Sequence, residues 1–220
     1  MIIAIDGPSG AGKSSCARLA AQALGFVYID TGALYRAIGL AVRMAGQPAG
    51  DETQVAACLP EIDLSIQYVV GTQHVFLNGE DVSEEIRTPE SAMAASDVAK
   101  IPAVRTYLLG LQRALARAQN SIMDGRDIGT VVLPEADVKL FLTASPEERA
   151  KRRWLELKSK GLDEPYAKVL AEVAARDKQD TERAISPLRP AEDGMLLDTT
   201  GMTREEVVQA IVNIVKEKLP

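Results

Sequence analysis

The chain is short of histidine, cysteine and aromatic residues, and each shortage closes off a class of chemistry. With one histidine in 220 residues, His74, neither a histidine metal site nor a Ser-His-Asp triad is expected, and His74 reads as an ordinary strand residue. The two cysteines, Cys16 and Cys58, lie far apart and form no CxxC pair. That excludes a disulfide framework and a cysteine zinc site, and it suits a reducing compartment. No apolar run approaches the ~20 residues that span a bilayer, so no membrane association is expected. The N-terminus opens as a strand (Ile2, Ile3, Ala4, Ile5) without a basic leader, so no signal peptide is expected and the cytoplasm is the expected location. A net charge of −6 argues against a broad nucleic-acid surface. Any polyanion must therefore be met by a local concentration of Arg and Lys.

What is present is an α/β pattern. The 220 residues suffice for one domain with an appended lobe or for two small ones, and 46% hydrophobic with 25% charged residues is ordinary for a globular chain. Apolar runs at 2–6, 26–29, 121–123, 138–142 and 195–197 predict strands. Helical patterns follow most of them, at 13–24, 32–44, 146–160 and 203–218. Alternation of this kind predicts a parallel five-stranded sheet flanked by helices. One segment breaks it: in "EIDLSIQYV" the residues Ile62, Leu64, Ile66 and Tyr68 alternate with polar ones, and "HVFLNGEDV" follows with an Asn78-Gly79 turn signal. This predicts a small antiparallel β lobe inserted over about 61–90. No repeat or low-complexity segment occurs.

The segment "GPSGAGKS", Gly7–Ser14, fits G-x-x-x-x-G-K-[ST] between a predicted strand and a predicted helix. Gly7, Gly10 and Gly12 let backbone N–H groups approach phosphate oxygens, and the helix adds its positive N-terminal end. Lys13 is expected at the β- and γ-phosphates, and Ser14 at Mg²⁺. The chain is therefore expected to bind a nucleoside triphosphate. No N-K-x-D guanine signature occurs, and the "DTTG" at Asp198–Gly201, which mimics a switch motif, lies too near the C-terminus to precede one.

A small P-loop kinase also needs a phosphate acceptor site. In "YIDTGALYR", 28–36, Asp30 and Thr31 end a predicted strand, where ligands gather in a doubly wound sheet, and Tyr35 and Arg36 follow on the first helical turns. Arg36 can hold a phosphate by a charge-assisted fork, and Tyr35 can pack a ring. In "IMDGRDIGTVVLP" a strand ends in Asp124, suited to a magnesium-bound water; Arg126 suits phosphate, and Asp127 can accept from an exocyclic amine. Two later helical segments concentrate guanidinium groups. "SPEERAKRRW" puts Arg149, Arg152 and Arg153 at i, i+3, i+4, and "ARDKQDTERAISPLRP" puts Arg176, Asp180 and Arg183 at i, i+4, i+7. With a hinge-like turn at Gly161 they form an expected helical lid. These residues alone leave open a kinase acting on another monophosphate or on a metabolite hydroxyl, and an ATP-sensing module with no acceptor.

Together the segments "IAIDGPSGAGKSS", "DTGALYRA", "LNGEDVSEEIRTPE", "DGRDIGTVV", "LTASPEERAKRR" and "RDKQDTERAISPL" resemble, in order, the bacterial cytidylate kinase family within the P-loop nucleoside monophosphate kinases. The inserted "GEDVSEEIRT" lobe is the most specific of them. The resemblance implies ATP-dependent phosphorylation of CMP and dCMP, with Mg²⁺ and ATP as the cofactor pair and a monomeric protein. It implies a single unit over 1–220. The core covers about 1–30, 106–145 and 190–220, a monophosphate-binding region about 31–105, and a lid about 146–189. By the same resemblance Gly7, Pro8, Ser9, Gly10, Ala11, Gly12, Lys13, Ser14 and Ser15 bind ATP. Ser14 holds the metal, with Asp124 acting through water. Thr31, Tyr35 and Arg36 belong to the monophosphate site; Ser96 and Arg105 contact cytosine with Asp127; Arg126 and Arg183 bind phosphate; Arg176 and Asp180 contact the sugar. Lys13, Arg126, Arg149, Arg153 and Arg183 carry the catalysis. Thr31 stands where the family often has serine, and Ser14 replaces the glycine of some members.

Overall fold

Strands that read as continuous apolar runs do so because both faces of their sheet are covered. The computed structural model describes residues 1–219, with Pro89 described by its backbone alone. In chain order the elements are β1 (Ile2–Asp6), α1 (Lys13–Leu24), β2 (Val27–Asp30), α2 (Thr31–Met44), α3 (Glu52–Cys58), β3 (Leu64–Val69), β4 (Thr72–Leu77), β5 (Glu80–Asp81), α4 (Pro89–Val98), α5 (Pro102–Arg117), β6 (Ser121–Gly125), β7 (Val138–Thr143), α6 (Pro146–Ser159), α7 (Tyr166–Glu182), β8 (Met195–Asp198) and α8 (Arg204–Lys216). One five-stranded sheet has the order β2-β6-β1-β7-β8, with β1 parallel to both β6 and β7, and β7 parallel to β8. The expected α/β architecture is thus present, each expected strand and helix within a few residues of its forecast bounds. The register pairs Asp6 with Gly125, so the loops leaving β1 and β6 emerge side by side.

The chain packs as two compact units, Met1–Tyr28 with the chain from Gln119 onward, and Ile29–Ala118, the boundary falling inside β2. The core of the first unit is built from Ile3, Ile5, Ile122, Leu140 and Leu142 of the sheet against Ala17, Ala20, Val207 and Ile211 of α1 and α8. A reciprocal capping box, Thr203 with Glu206, starts α8. The core of the second unit gathers Leu34, Ile38 and Val42 of α2 with Val75 and Leu77 of β4 and Val104 and Leu108 of α5. Burial of each such aliphatic side chain is worth roughly 1.5–3 kcal/mol. Here α2 meets α4 so closely that a Cβ on Gly39 would stand 2.8 Å from the Cβ of Ala94, which only glycine permits.

The inserted lobe is the antiparallel sheet β3-β4-β5, with Leu64 opposite Leu77 and Ile66 opposite Val75. Asn78 and Gly79, at φ 51° and 85°, make the tight turn that leads from β4 to β5, as their dipeptide predicts. His74 is a strand residue, as expected, its Nδ1 2.7 Å from Asp81. Hydrogen bonds from the Ser83 side chain, then from His74, hold the Asp81 carboxyl down at about 2. Three helices, α3, α4 and α5, lie where the sequence reading named none. The Ala- and Ser-rich α4 offers little apolar periodicity, whereas α5 buries Val104, Leu108 and Gln112 at a four-residue spacing that was legible.

Candidate active site

The loop between β1 and α1 has the shape its sequence requires. Gly7 has φ 146°, and a Cβ there would lie 1.9 Å from the carbonyl oxygen of Leu142 on β7, so glycine is the only residue that fits. Lys13 is buried, and its ammonium donates to the Pro8 carbonyl at 2.8 Å, which folds the side chain over the loop. Burial, and then the Arg126 charge, hold its pKa well below the usual lysine value, while Asp124, Asp6 and Asp180 pull it back up.

Beside the loop, Asp124 gathers two hydroxyls from distant parts of the chain. Ser14 Oγ donates to Asp124 Oδ2 at 2.7 Å, and Tyr28 Oη donates to Asp124 Oδ1 at 2.8 Å. A buried carboxylate beside the exposed P-loop serine is an all-oxygen donor set of the kind that suits Mg²⁺. Among the described residues no group of three or more His, Cys, Asp or Glu side chains forms a metal cluster, so such an ion would depend on phosphate oxygens and water for its remaining ligands.

The turn after β6 holds two of the expected residues. Arg126 Nε donates to Asp180 Oδ2 of α7 at 2.8 Å, and Asp127 is buried with its Oδ1 3.7 Å from Arg183 Nη2. A π-helical turn, Ile128–Val132, follows at once. Asp6 was not singled out by the sequence reading. It accepts from the backbone N–H groups of Ile128 and Gly129, 2.8 Å each, one on each carboxylate oxygen. Burial pushes its pKa up to about 6 against the lowering effect of those two bonds.

The i, i+4, i+7 spacing placed Arg183 on the same helical face as Arg176 and Asp180, and the structure corrects this. α7 ends at Glu182, and Arg183 is an extended residue at φ −62°, ψ 139°. Ser186 takes φ 50° and Pro187 follows, a sequence that cannot continue a helix. Arg183 instead reaches Asp127 from the loop, and its Nε donates to the Ser186 carbonyl.

The three arginines of α6 have separate environments. Arg149 is 3% exposed: Nε donates to the Ala144 carbonyl at 2.9 Å, Nη1 to the Ser9 carbonyl at 3.1 Å and to Asp177 Oδ1 of α7 at 2.8 Å. Arg152 donates to Glu148 and to both Oγ1 and the carbonyl of Thr199, at 3.0 and 2.7 Å for the latter two. The "DTTG" segment thus anchors α6 from its buried threonine. Arg153 pairs only superficially, with Glu156 at 2.9 Å. Asp177 and Thr199 carried no sequence signal of their own.

In the second unit Asp30 caps α2 by accepting from Ala33 N at 3.0 Å, and its other oxygen accepts from Arg36 Nη2 at 2.8 Å. Arg105 lies over the ring of Tyr35, 5.9 Å from its centroid, and donates to the Ala99 carbonyl at 3.2 Å. Thr31 is buried in the first turn of α2, and Ser96 is half-buried on α4. Gln73 of the inserted lobe clasps the Asp30 backbone in both directions, accepting from its N–H at 2.8 Å and donating to its carbonyl at 3.2 Å. The lobe therefore supports the segment that carries Thr31, Tyr35 and Arg36.

Comparison with known proteins agrees with this geometry. The family model described as cytidylate kinase matches residues 3–217. A cytidylate kinase of Caldicellulosiruptor bescii is 51% identical over 212 residues, covering 96% of this chain and 94% of the relative. One of Syntrophotalea carbinolica is 49% identical over 218 residues, covering 99% and 93%. Among solved structures, an uncharacterized protein from Eubacterium ventriosum shares the fold with TM-score 0.53 at 11% identity, covering 98% of each chain. A match from the first strand to the last helix, with the phosphate loop and the inserted sheet inside it, makes this chain a member of the cytidylate kinase family.

Proposed function

We propose that the protein transfers the γ-phosphoryl group of ATP to CMP and dCMP, giving CDP or dCDP and ADP. The observation that carries this reading is the near full-length identity with cytidylate kinases, 51% over 96% of the chain. The acidic turn supports it: Asp127 offers a buried carboxylate to an exocyclic amine.

The amides and side chains of Gly7, Pro8, Ser9, Gly10, Ala11, Gly12, Lys13, Ser14 and Ser15 bind the triphosphate. The Lys13 ammonium, drawn back toward protonation by three carboxylates, offsets charge on the β- and γ-phosphates. Ser14 would hold Mg²⁺, with Asp124 acting through a bound water, and the ion would supply neutralisation of phosphate charge. The Tyr28 and Ser14 hydroxyls fix the orientation of the Asp124 carboxylate. Arg36, Arg126 and Arg183 bind and align the acceptor phosphate, and Thr31 and Tyr35 belong to the same subsite. Ser96, Arg105 and Asp127 read cytosine, and Arg176 and Asp180 the sugar. Arg149 and Arg153 stabilise the transferring group from a lid of residues 146–189; about 1–30, 106–145 and 190–220 form the core, and about 31–105 the monophosphate-binding region. A phosphate dianion is already a nucleophile, so transfer is in line, with no covalent enzyme intermediate and no general base. The protein works as a monomer in the cytoplasm.

A coupled ADP-release assay with Mg-ATP and CMP, dCMP, UMP, AMP and GMP tests this. Strong turnover with CMP and dCMP, and much weaker turnover with UMP, is expected. Equal use of UMP would remove amine recognition, and no turnover with any monophosphate would overturn the acceptor assignment.

A further inference from the structure

Asp6 is the last residue of β1, directly before the phosphate loop, and it is 4% exposed. Its charge helps to draw the Lys13 ammonium toward protonation, but this does not require both of its oxygens to be bonded elsewhere. A buried acid also carries a desolvation penalty that an apolar residue would avoid. Its two oxygens are both taken, by the N–H groups of Ile128 and Gly129. These are the two residues after Asp127, whose backbone sits at φ −146°, ψ 27° and whose carbonyl accepts from Val131 and Val132. The charged groups that bear on Asp6 are Asp127 and Lys13.

A carboxylate offers two acceptor oxygens side by side, so each of the two adjacent N–H groups has its own charge-assisted acceptor on Asp6. Asp6 thereby fixes the backbone on the C-terminal side of Asp127, while the β6 pairing of Asp6 with Gly125 fixes the N-terminal side. Only the orientation of the Asp127 carboxylate is left for the acceptor base to meet. We infer that Asp6 is a positioning residue for base selectivity, holding Asp127 at the angle that distinguishes cytosine from uracil. The inference rests on the reading of Asp127 as the amine acceptor.

The test compares Asp6→Asn, Asp127→Asn and the double variant by kcat/KM for CMP and for UMP at fixed Mg-ATP. Asparagine keeps the shape but turns one acceptor into a donor facing an N–H. Because both acceptors are assayed with the same ATP, effects on the triphosphate side cancel in the CMP/UMP ratio. The expected result is a ratio reduced roughly ten-fold or more in Asp6→Asn, with the double variant no worse than Asp127→Asn alone. A folded Asp6→Asn that loses CMP and UMP activity by the same factor, or ratio losses that multiply in the double variant, would overturn the inference. An unchanged ratio in Asp127→Asn would sink the base-reading assignment itself, and the inference with it. Should Asp6→Asn fail to fold, Asp6→Glu, which keeps both acceptors on a longer arm, must still lower the ratio; an intact ratio there overturns the proposal.

Discussion

The two units differ in the reach of the contacts around their polar residues. In Ile29–Ala118 contacts between neighbours in sequence, Asp30 with Arg36 six positions on and Arg105 with the Ala99 carbonyl six positions back, stand beside longer-range ones, Asp30 with Gln73 and Arg105 with Tyr35. In the unit containing the phosphate loop, the partners come from far along the chain. Ser14 meets Asp124, Asp6 meets Ile128 and Gly129, Arg126 meets Asp180, and Arg149 meets both Ser9 and Asp177. Local support survives small shifts of the fold, whereas long-range support exists only when the sheet is correctly assembled. Substitutions in the first unit should therefore disturb both stability and chemistry, and those in the second mainly chemistry.

The largest effect is expected at Lys13. Lys13→Ala removes the buried cation over the loop and should lower kcat about 10²–10³-fold with the KM for CMP nearly unchanged, as steady-state kinetics would show. An equal rise in the KM for CMP would assign Lys13 to the acceptor side. Arg149→Ala comes next. It leaves the Asp177 carboxylate and two carbonyls without their donor, and should destabilise by about 3 kcal/mol in urea unfolding. Arg153→Ala, at a surface pair with both side chains more than a third exposed, should change stability by less than about 0.5 kcal/mol. Equal losses would erase the contrast between a guanidinium that ties α6 to the phosphate loop and α7 and one that faces solvent.

A subtler effect belongs to pH. The Asp6 pKa is about 6 in the folded chain against an ordinary 3.8, because burial disfavours the charge. The folded state therefore holds this proton more tightly than the unfolded one. The stabilisation is complete below about 3.8 and is lost as pH rises through about 6, to the extent of roughly 2–3 kcal/mol. Wild type minus Asp6→Asn stability, measured by urea unfolding from pH 4 to 7, should fall across that window. A constant difference would mean that the carboxyl titrates normally despite its burial.

The sequence by itself determined the phosphate loop, the alternation of strand and helix, and the inserted lobe with its Asn78-Gly79 turn. In each of these the cause is local: a glycine conformation, or a periodicity of two or 3.6. It marked Arg126, Asp127, Arg176 and Asp180 as chemically suited, but it misjudged Arg183, because a helix pattern was extended through a segment that Pro187 stops. Asp6, Tyr28, Asp177, Thr199 and Gln73 were invisible. An aspartate before a glycine loop or a tyrosine in a strand has no periodic signature, and what each does depends on a partner 28 to 122 residues away. Only the tertiary structure decided which carboxylates face hydroxyls, backbone amides or guanidinium groups. Those pairings follow from strand order and register, which bring the loops after β1 and β6 together from distant parts of the chain.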